Sequence, residues 1–307
     1  MFRTPPAISS ELFARIPDEY RKKGKISLER LQACKGTLQT DSYIEGPSFD
    51  RDGNLYIVDI AFGLIFKVSD TGFVTQVLEY DGEPNGLKIH KDSRIFIADH
   101  KNGLMLFNPE SCTMAPFLPR FRTEGFKGLN DLFFSNNGDL YFTDQGQTGF
   151  QDPSGRVFKY SNNGKIELLL NNVPSPNGIV MSPSENFLYI ASTRGNCILR
   201  AMVLPDGSLT RVGNFIQMSG GSGPDGLAVD QAGNLFVAHA GFGAVWMFSP
   251  RGVPLLRIDS CMGGMTTNIA FGGKDNRNLY ITESETGSIL VARMDIPGQQ
   301  LFSHFDD

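Results

Sequence analysis

The strongest constraint on how this chain can fold is a unit repeated six times. Each unit opens on an oxygen-bearing side chain followed by a short apolar run. The openings are Glu45-Gly46-Pro47-Ser48-Phe49, Asn85-Gly86-Leu87-Lys88-Ile89, Asn130-Asp131-Leu132-Phe133-Phe134, Asn177-Gly178-Ile179-Val180-Met181, Asp225-Gly226-Leu227-Ala228-Val229 and Asn268-Ile269-Ala270-Phe271. They follow one another at intervals of 40, 45, 47, 48 and 43 residues. About ten residues after each opening comes a second β-prone run, such as Leu55-Tyr56-Ile57-Val58, Leu140-Tyr141-Phe142-Thr143 and Leu235-Phe236-Val237-Ala238. Turn residues such as Asp52-Gly53 and Asn137-Gly138 separate the two, as a hairpin requires. Third and weaker fourth strands follow.

A recurrence of roughly 40–50 residues with four strands per unit is the signature of propeller blades. Radial closure then removes most exposed sheet edges. The expected fold is all-β, a six-bladed β-propeller of four-stranded antiparallel blades. Residues 1–40 lack the repeat and are expected to form an N-terminal arm, partly irregular, that could supply a closing strand; residues 41–307 form the propeller. Glu11–Arg21 and Leu28–Cys34 read as irregular or briefly helical.

Composition agrees with many short strands and tight turns: 34 Gly, 24 Phe and 20% charged residues in a chain of 307. The net charge of −5 and the absence of any basic run longer than Arg21-Lys22-Lys23 argue against a nucleic-acid partner. The start lacks the apolar stretch of an export signal, and no run of about 18 apolar residues suggests a membrane partner. Cys34, Cys112, Cys197 and Cys261 are far apart and form no C-x-x-C pair, so they read as reduced thiols in a cytoplasmic chain.

First strands line the channel of a propeller, so Glu45, Asn85, Asn130, Asn177, Asp225 and Asn268 are expected to converge on its axis. Asn-Gly and Asp-Gly also form turns, and any one of these residues could simply shape the start of a strand. Turn chemistry explains neither Glu45 before Gly46-Pro47 nor Asn130 before Asp131. Two carboxylates and several amides in a narrow channel need a cation or ordered water. An all-oxygen set suits Ca²⁺, and the lack of Cys and His at these positions disfavours zinc.

Second strands should end near the same mouth, at Asp59, Asp99-His100, Asp144, Ser192, His239 and Glu283. Most of these read as solvated loop residues. His100 and His239 are the functional candidates, as neutral proton carriers near pH 7. The joining segments at this end, Thr113–Lys127, Gln145–Ser154, Gln217–Gly223 and Cys261–Met265, carry Phe117, Phe121, Phe126, Phe150, Met218 and Met262, which either line an apolar pocket or pack under a loop. Gly221-Ser222-Gly223-Pro224-Asp225-Gly226 matches G-x-G-x-x-G, but a strand follows it where a dinucleotide site needs a helix. No G-x-S-x-G, H-E-x-x-H or P-loop occurs.

The repeated region resembles the SMP-30/gluconolactonase/LRE-like family, six-bladed hydrolases that are themselves similar to diisopropylfluorophosphatase. The matching stretches are Glu45-Gly46-Pro47, Asn130-Asp131 with Gly138-Asp139-Leu140-Tyr141-Phe142-Thr143-Asp144, Pro176-Asn177-Gly178 and Gly223-Pro224-Asp225-Gly226-Leu227-Ala228. The resemblance implies that Glu45, Asn130, Asn177 and Asp225 surround a catalytic divalent metal, usually calcium, with Asn130 acting directly or through water. Asn85 and Asn268 then fall to substrate or metal-bound water. The implied activity is hydrolysis of a small lactone or related ester, with Asp225 as general base or, as a variant, nucleophile. Phosphotriester hydrolysis and a non-catalytic binding propeller are the alternatives. The sugar-lactone branch carries an arginine two positions before its Asn-Asp pair; Gly128 stands there in this chain, which speaks against a sugar-acid lactone.

Overall fold

The computed structural model describes residues 4–28, 31 and 36–305. Most of the expected Leu28–Cys34 segment therefore lies outside the described residues. Six antiparallel sheets are arranged around one axis. Their inner strands are Ile44–Phe49, Pro84–Ile89, Leu129–Phe134, Pro176–Met181, Gly223–Val229 and Thr266–Gly272. Each pairs with the next strand in sequence, and three further strands complete each of the first five blades.

The sixth blade is completed from the other end of the chain. Glu11–Arg15 pairs antiparallel with Ser288–Arg293 and forms its outermost strand. Ala7–Ser9 adds to the fifth blade, parallel to Pro254–Asp259. Within Glu11–Arg21, expected to be irregular or briefly helical, Glu11–Arg15 is thus a strand and Asp18–Tyr20 a single 3₁₀ turn. A free outer edge of unpaired N–H and C=O groups decides the conformation here, where local composition did not.

The inner and second strands are almost entirely buried, as expected for sheets that face one another on both sides. Their apolar side chains fill the gaps between blades, for instance Phe236 of blade five packed edge-on against Phe271 of blade six at 5.1 Å. Thr113–Leu118 is the fourth strand of blade two, followed by a small hairpin at Arg120–Phe121 and Glu124–Gly125. Phe117, Phe121 and Phe126 pack on Phe96, Phe158 and Phe142, between blades two and three.

The chain's C-terminal residues close one end of the channel. Phe302 packs against His90 and Phe134, and Arg51 holds this tail by donating to Ser303 O at 2.8 Å. At the opposite end the second strands finish. Four of their terminal carboxylates do the same structural job there. Asp59, Asp99, Asp144 and Glu283 accept the backbone N–H of Tyr43, Glu83, Gly128 and Met265 in turn, tying each inner strand's approach to its own hairpin. No helix among the described residues is long and apolar enough to cross a membrane.

Candidate active site

Every inner strand carries a β-bulge at its mouth end. One extra residue is inserted between Glu45 and Ser48, Pro84 and Gly86, Leu129 and Leu132, Pro176 and Ile179, Pro224 and Leu227, and Thr266 and Asn268. A bulge breaks the strict alternation of a strand and re-aims a side chain. It does so here at each repeat opening. The glycine that follows most openings serves packing rather than a turn: a Cβ on Gly178 would lie 2.3 Å from Asp225 O, and one on Gly86 2.6 Å from Asn130 O. Adjacent inner strands can approach this closely only without side chains between them.

Glu45, Asn85, Asn130, Asn177 and Asp225 line one cavity of about 450 Å³ at the open end of the channel. All five are 2–4% exposed. Burial first, and the nearby charge of Asp225 second, push the Glu45 carboxyl well above its usual range. Asn130 Nδ2 donates to Gln145 Oε1 at 3.0 Å, and Gln145 Nε2 in turn donates to Ser175 Oγ at 2.9 Å. This chain of bonds fixes which way the Asn130 amide faces and keeps its oxygen off Gln145. Among the described residues, the Asn85 and Asn177 amides have no side-chain hydrogen-bond partner. Their polar groups open onto the cavity, where a ligand or water can satisfy them.

Asn268 lies elsewhere. Asp131 N–H donates to Thr143 Oγ1 at 3.0 Å, and Leu132 N–H donates to Asp131 Oδ1 at 2.9 Å. Asn268 N–H donates to Thr282 Oγ1 at 2.9 Å, and Ile269 N–H donates to Asn268 Oδ1 at 2.8 Å. Asn268 is therefore the counterpart of Asp131, and the blade-six counterpart of Asn130 is Thr267. The hydroxyl of Thr267 is spent on Ile44 O at 3.1 Å, which links the last blade to the first. Asn268 does not line the cavity; it lies close enough to Glu45 and Asp131 to act against the rise of both carboxyl pKa values. A shift of one residue along a bulged strand moves a side chain to another level of the channel. Asp131, which was not singled out from sequence, belongs to this lower layer with Lys88. Burial raises its pKa, and Lys88 opposes the rise.

Neither candidate histidine lines the cavity. The His100 ring lies over Gly128, where a Cβ would come within 2.3 Å of it, and its Nδ1 is buried without a partner among the described residues. Burial lowers its pKa and keeps the ring neutral. His239 is stacked on Phe242 at 4.9 Å, with Nε2 2.9 Å from Gly220 O. Ser192 donates to Pro174 O at 2.7 Å. The aromatic and methionine residues of the joining segments do not line the cavity either.

Its walls come from loops that carry no periodic sequence signal. Leu31, Tyr43 and Ile60 form an apolar part, while Gln147, Gln151 and Arg194 add polar groups. The Gln145–Ser154 segment was legible as a mouth loop, but nothing in it marked glutamines as wall residues.

The five ring side chains fit a hard cation. They comprise two carboxylates and three amides, with no sulfur or imidazole. Among the described residues, no group of three or more His, Cys, Asp or Glu side chains could hold a metal. A cation at this site would therefore need the amide oxygens as well as the two carboxylates.

A six-bladed propeller with a polar, carboxylate-bearing cavity at one end of its channel defines the class of protein. The chain belongs to the SMP-30/gluconolactonase/LRE-like family, whose model matches residues 44–285. A lactonase drp35 of Staphylococcus aureus is 31% identical over 240 residues, which are 74% of this chain and 72% of the relative. The lactonase drp35 of Staphylococcus haemolyticus is 31% identical over 227 residues, 70% and 69% of the two chains. Among solved structures, a gluconolactonase from Xanthomonas campestris superposes with a TM-score of 0.73 at 21% identity, covering 96% of this chain and 99% of that one. The calcium-binding protein regucalcin from Agrobacterium tumefaciens does so with a TM-score of 0.73 at 22% identity, covering 95% and 97%. At these identities the structural likeness speaks to the fold.

Proposed function

We propose that this protein is a divalent-metal-dependent hydrolase that opens a small lactone, with Ca²⁺ held by Glu45, Asn130, Asn177 and Asp225. The observation that carries this reading is the convergence of two buried carboxylates and three buried amides on one open cavity, with Asn85 and Asn177 lacking protein partners among the described residues. Membership of the family and the drp35 lactonases among the relatives support a lactone as substrate.

When bound, the cation would polarise the ester carbonyl and favour charge on its oxygen. Glu45 and Asp225 supply the charge that balances it. Gln145 keeps the Asn130 amide in one orientation. Asp225 takes a proton from the attacking water, whose oxygen bonds to the carbonyl carbon. The ring C–O bond then breaks, and the leaving alkoxide takes that proton, giving a hydroxy acid. Asn85, which lines the same cavity, would hydrogen-bond substrate.

The test is turnover of aliphatic, aromatic and sugar lactones beside phosphotriesters, before and after chelation and for Asp225→Asn. Chelation-sensitive lactone hydrolysis that D225N abolishes is expected. Turnover of phosphotriesters alone would replace the substrate class. Full activity in folded D225N, or after complete metal removal, would sink the mechanism.

A further inference from the structure

Among the described residues, three charged side chains line the cavity: Glu45, Asp225 and Arg194. The first two belong to the ring. Arg194 stands in the turn between Phe187–Ser192 and Cys197–Val203, on the mouth side of blade four. Nothing in the repeat calls for an arginine there.

The backbone that carries Arg194 is fixed on both sides. Thr193, 1% exposed, donates its N–H to Ser175 O at 3.0 Å and its hydroxyl to Pro224 O at 2.8 Å. Ser175 belongs to the Gln145 network, and Pro224 precedes Asp225. Asn196 closes the turn in the left-handed region, at φ 48°, with its N–H on Thr193 O at 3.1 Å. The guanidinium therefore starts from a rigid point between two ring elements. Its own head is exposed and makes no hydrogen bond or ion pair among the described residues. Other arginines at this end are engaged, Arg156 with Asp144 and Arg21 with Asp41.

We infer that Arg194 selects a lactone that carries a carboxylate on its ring or side chain. This rests on the hydrolase reading above. Glu45 and Asp225 balance a divalent cation, and among the described wall residues Arg194 is the cationic side chain left to face substrate. Its charge complements a carboxylate. A planar guanidinium fits a carboxylate through two parallel hydrogen bonds, which a lysine cannot reproduce. Leu31, Tyr43 and Ile60 add an apolar part to the wall, suited to the ring's carbon face.

The experiment compares a carboxylated lactone with its methyl ester in the wild type, Arg194→Gln and Arg194→Lys. Arg194 is exposed and makes no hydrogen bond or ion pair with a described group, so R194Q should fold normally, which a melting curve checks. The wild type should favour the carboxylated substrate. R194Q should raise its KM by at least about tenfold, the scale of a lost charge-assisted hydrogen bond, with kcat little changed and the ester unaffected. R194K should recover only part of the preference, and added salt should weaken it. An unchanged ratio of KM values, or equal losses on both substrates, would overturn the assignment while leaving lactone hydrolysis intact. If the wild type opens neither lactone, the hydrolase reading fails and this one falls with it.

Discussion

Lys88 Nζ stands 4.0 Å from Asp131 Oδ1 in the layer of the channel below the cavity, with side chains 15% and 2% exposed. Asp131 follows Asn130, and its charge also acts on Glu45. A buried carboxylate that loses the cation beside it is left uncompensated. Lys88→Met should therefore destabilise the protein by roughly 2–3 kcal/mol, near the low end for breaking a buried pair. Lys88→Met with Asp131→Asn should recover most of it. Urea unfolding of the two variants measures this.

The Gln145 network orients Asn130 without contributing to the ring itself. Gln145→Ala should leave the fold intact but lower Ca²⁺ affinity about tenfold, the usual scale for losing a group that orients a ligand. Calorimetric titration checks this independently of turnover. Unchanged affinity would mean that Asn130 is held by other contacts.

Glu45 and Asp225 oppose one another when no cation lies between them. Glu45→Gln removes a carboxyl whose ionisation burial and Asp225 disfavour. The chelated variant should melt above the chelated wild type by about a few degrees, yet gain little from added Ca²⁺, whereas the wild type should gain much more. Scanning calorimetry with and without chelator gives both comparisons.

Asp59 provides a pH signature. Burial raises its pKa to about 6, despite hydrogen bonds from Ser42 and Tyr43. Because the folded form binds the proton more tightly than the unfolded form, its contribution to stability is complete below about pH 4 and is lost as pH rises toward about 6. Asp59→Asn, which keeps an acceptor oxygen, should remove this slope. Relative to wild type it should gain about 2–3 kcal/mol between pH 4 and pH 7, from a shift of roughly two pKa units. Chemical denaturation across that range tests the sign.

The fold was legible because each blade repeats the same alternation of β-prone runs and turn residues, and a propeller is how such units bury both faces. Four of the ring residues that resemble the family motif, together with Asn85, were legible by position. Asn268 was misplaced because a one-residue bulge does not show in spacing, and Asn looks more like a ring residue than Thr267 does. The arm was expected to be able to supply a closing strand, but Glu11–Arg15 itself read as irregular or briefly helical for a different reason. Its conformation is set by an open edge contributed by Ser288–Arg293, far away in sequence. His100 and His239 were correctly placed near strand ends, but only packing revealed that Gly128 and Phe242 take up their rings.

By itself, then, the sequence determined the number of blades and the oxygen-rich character of the channel, since both follow from local periodicity and residue chemistry. Tertiary structure alone decided which level each side chain occupies, which amides remain without protein partners, and that Arg194 joins Glu45 and Asp225 on one cavity. Those outcomes depend on bulge register and on contacts between residues that are distant in the chain. Periodicity along one strand carries no information about them.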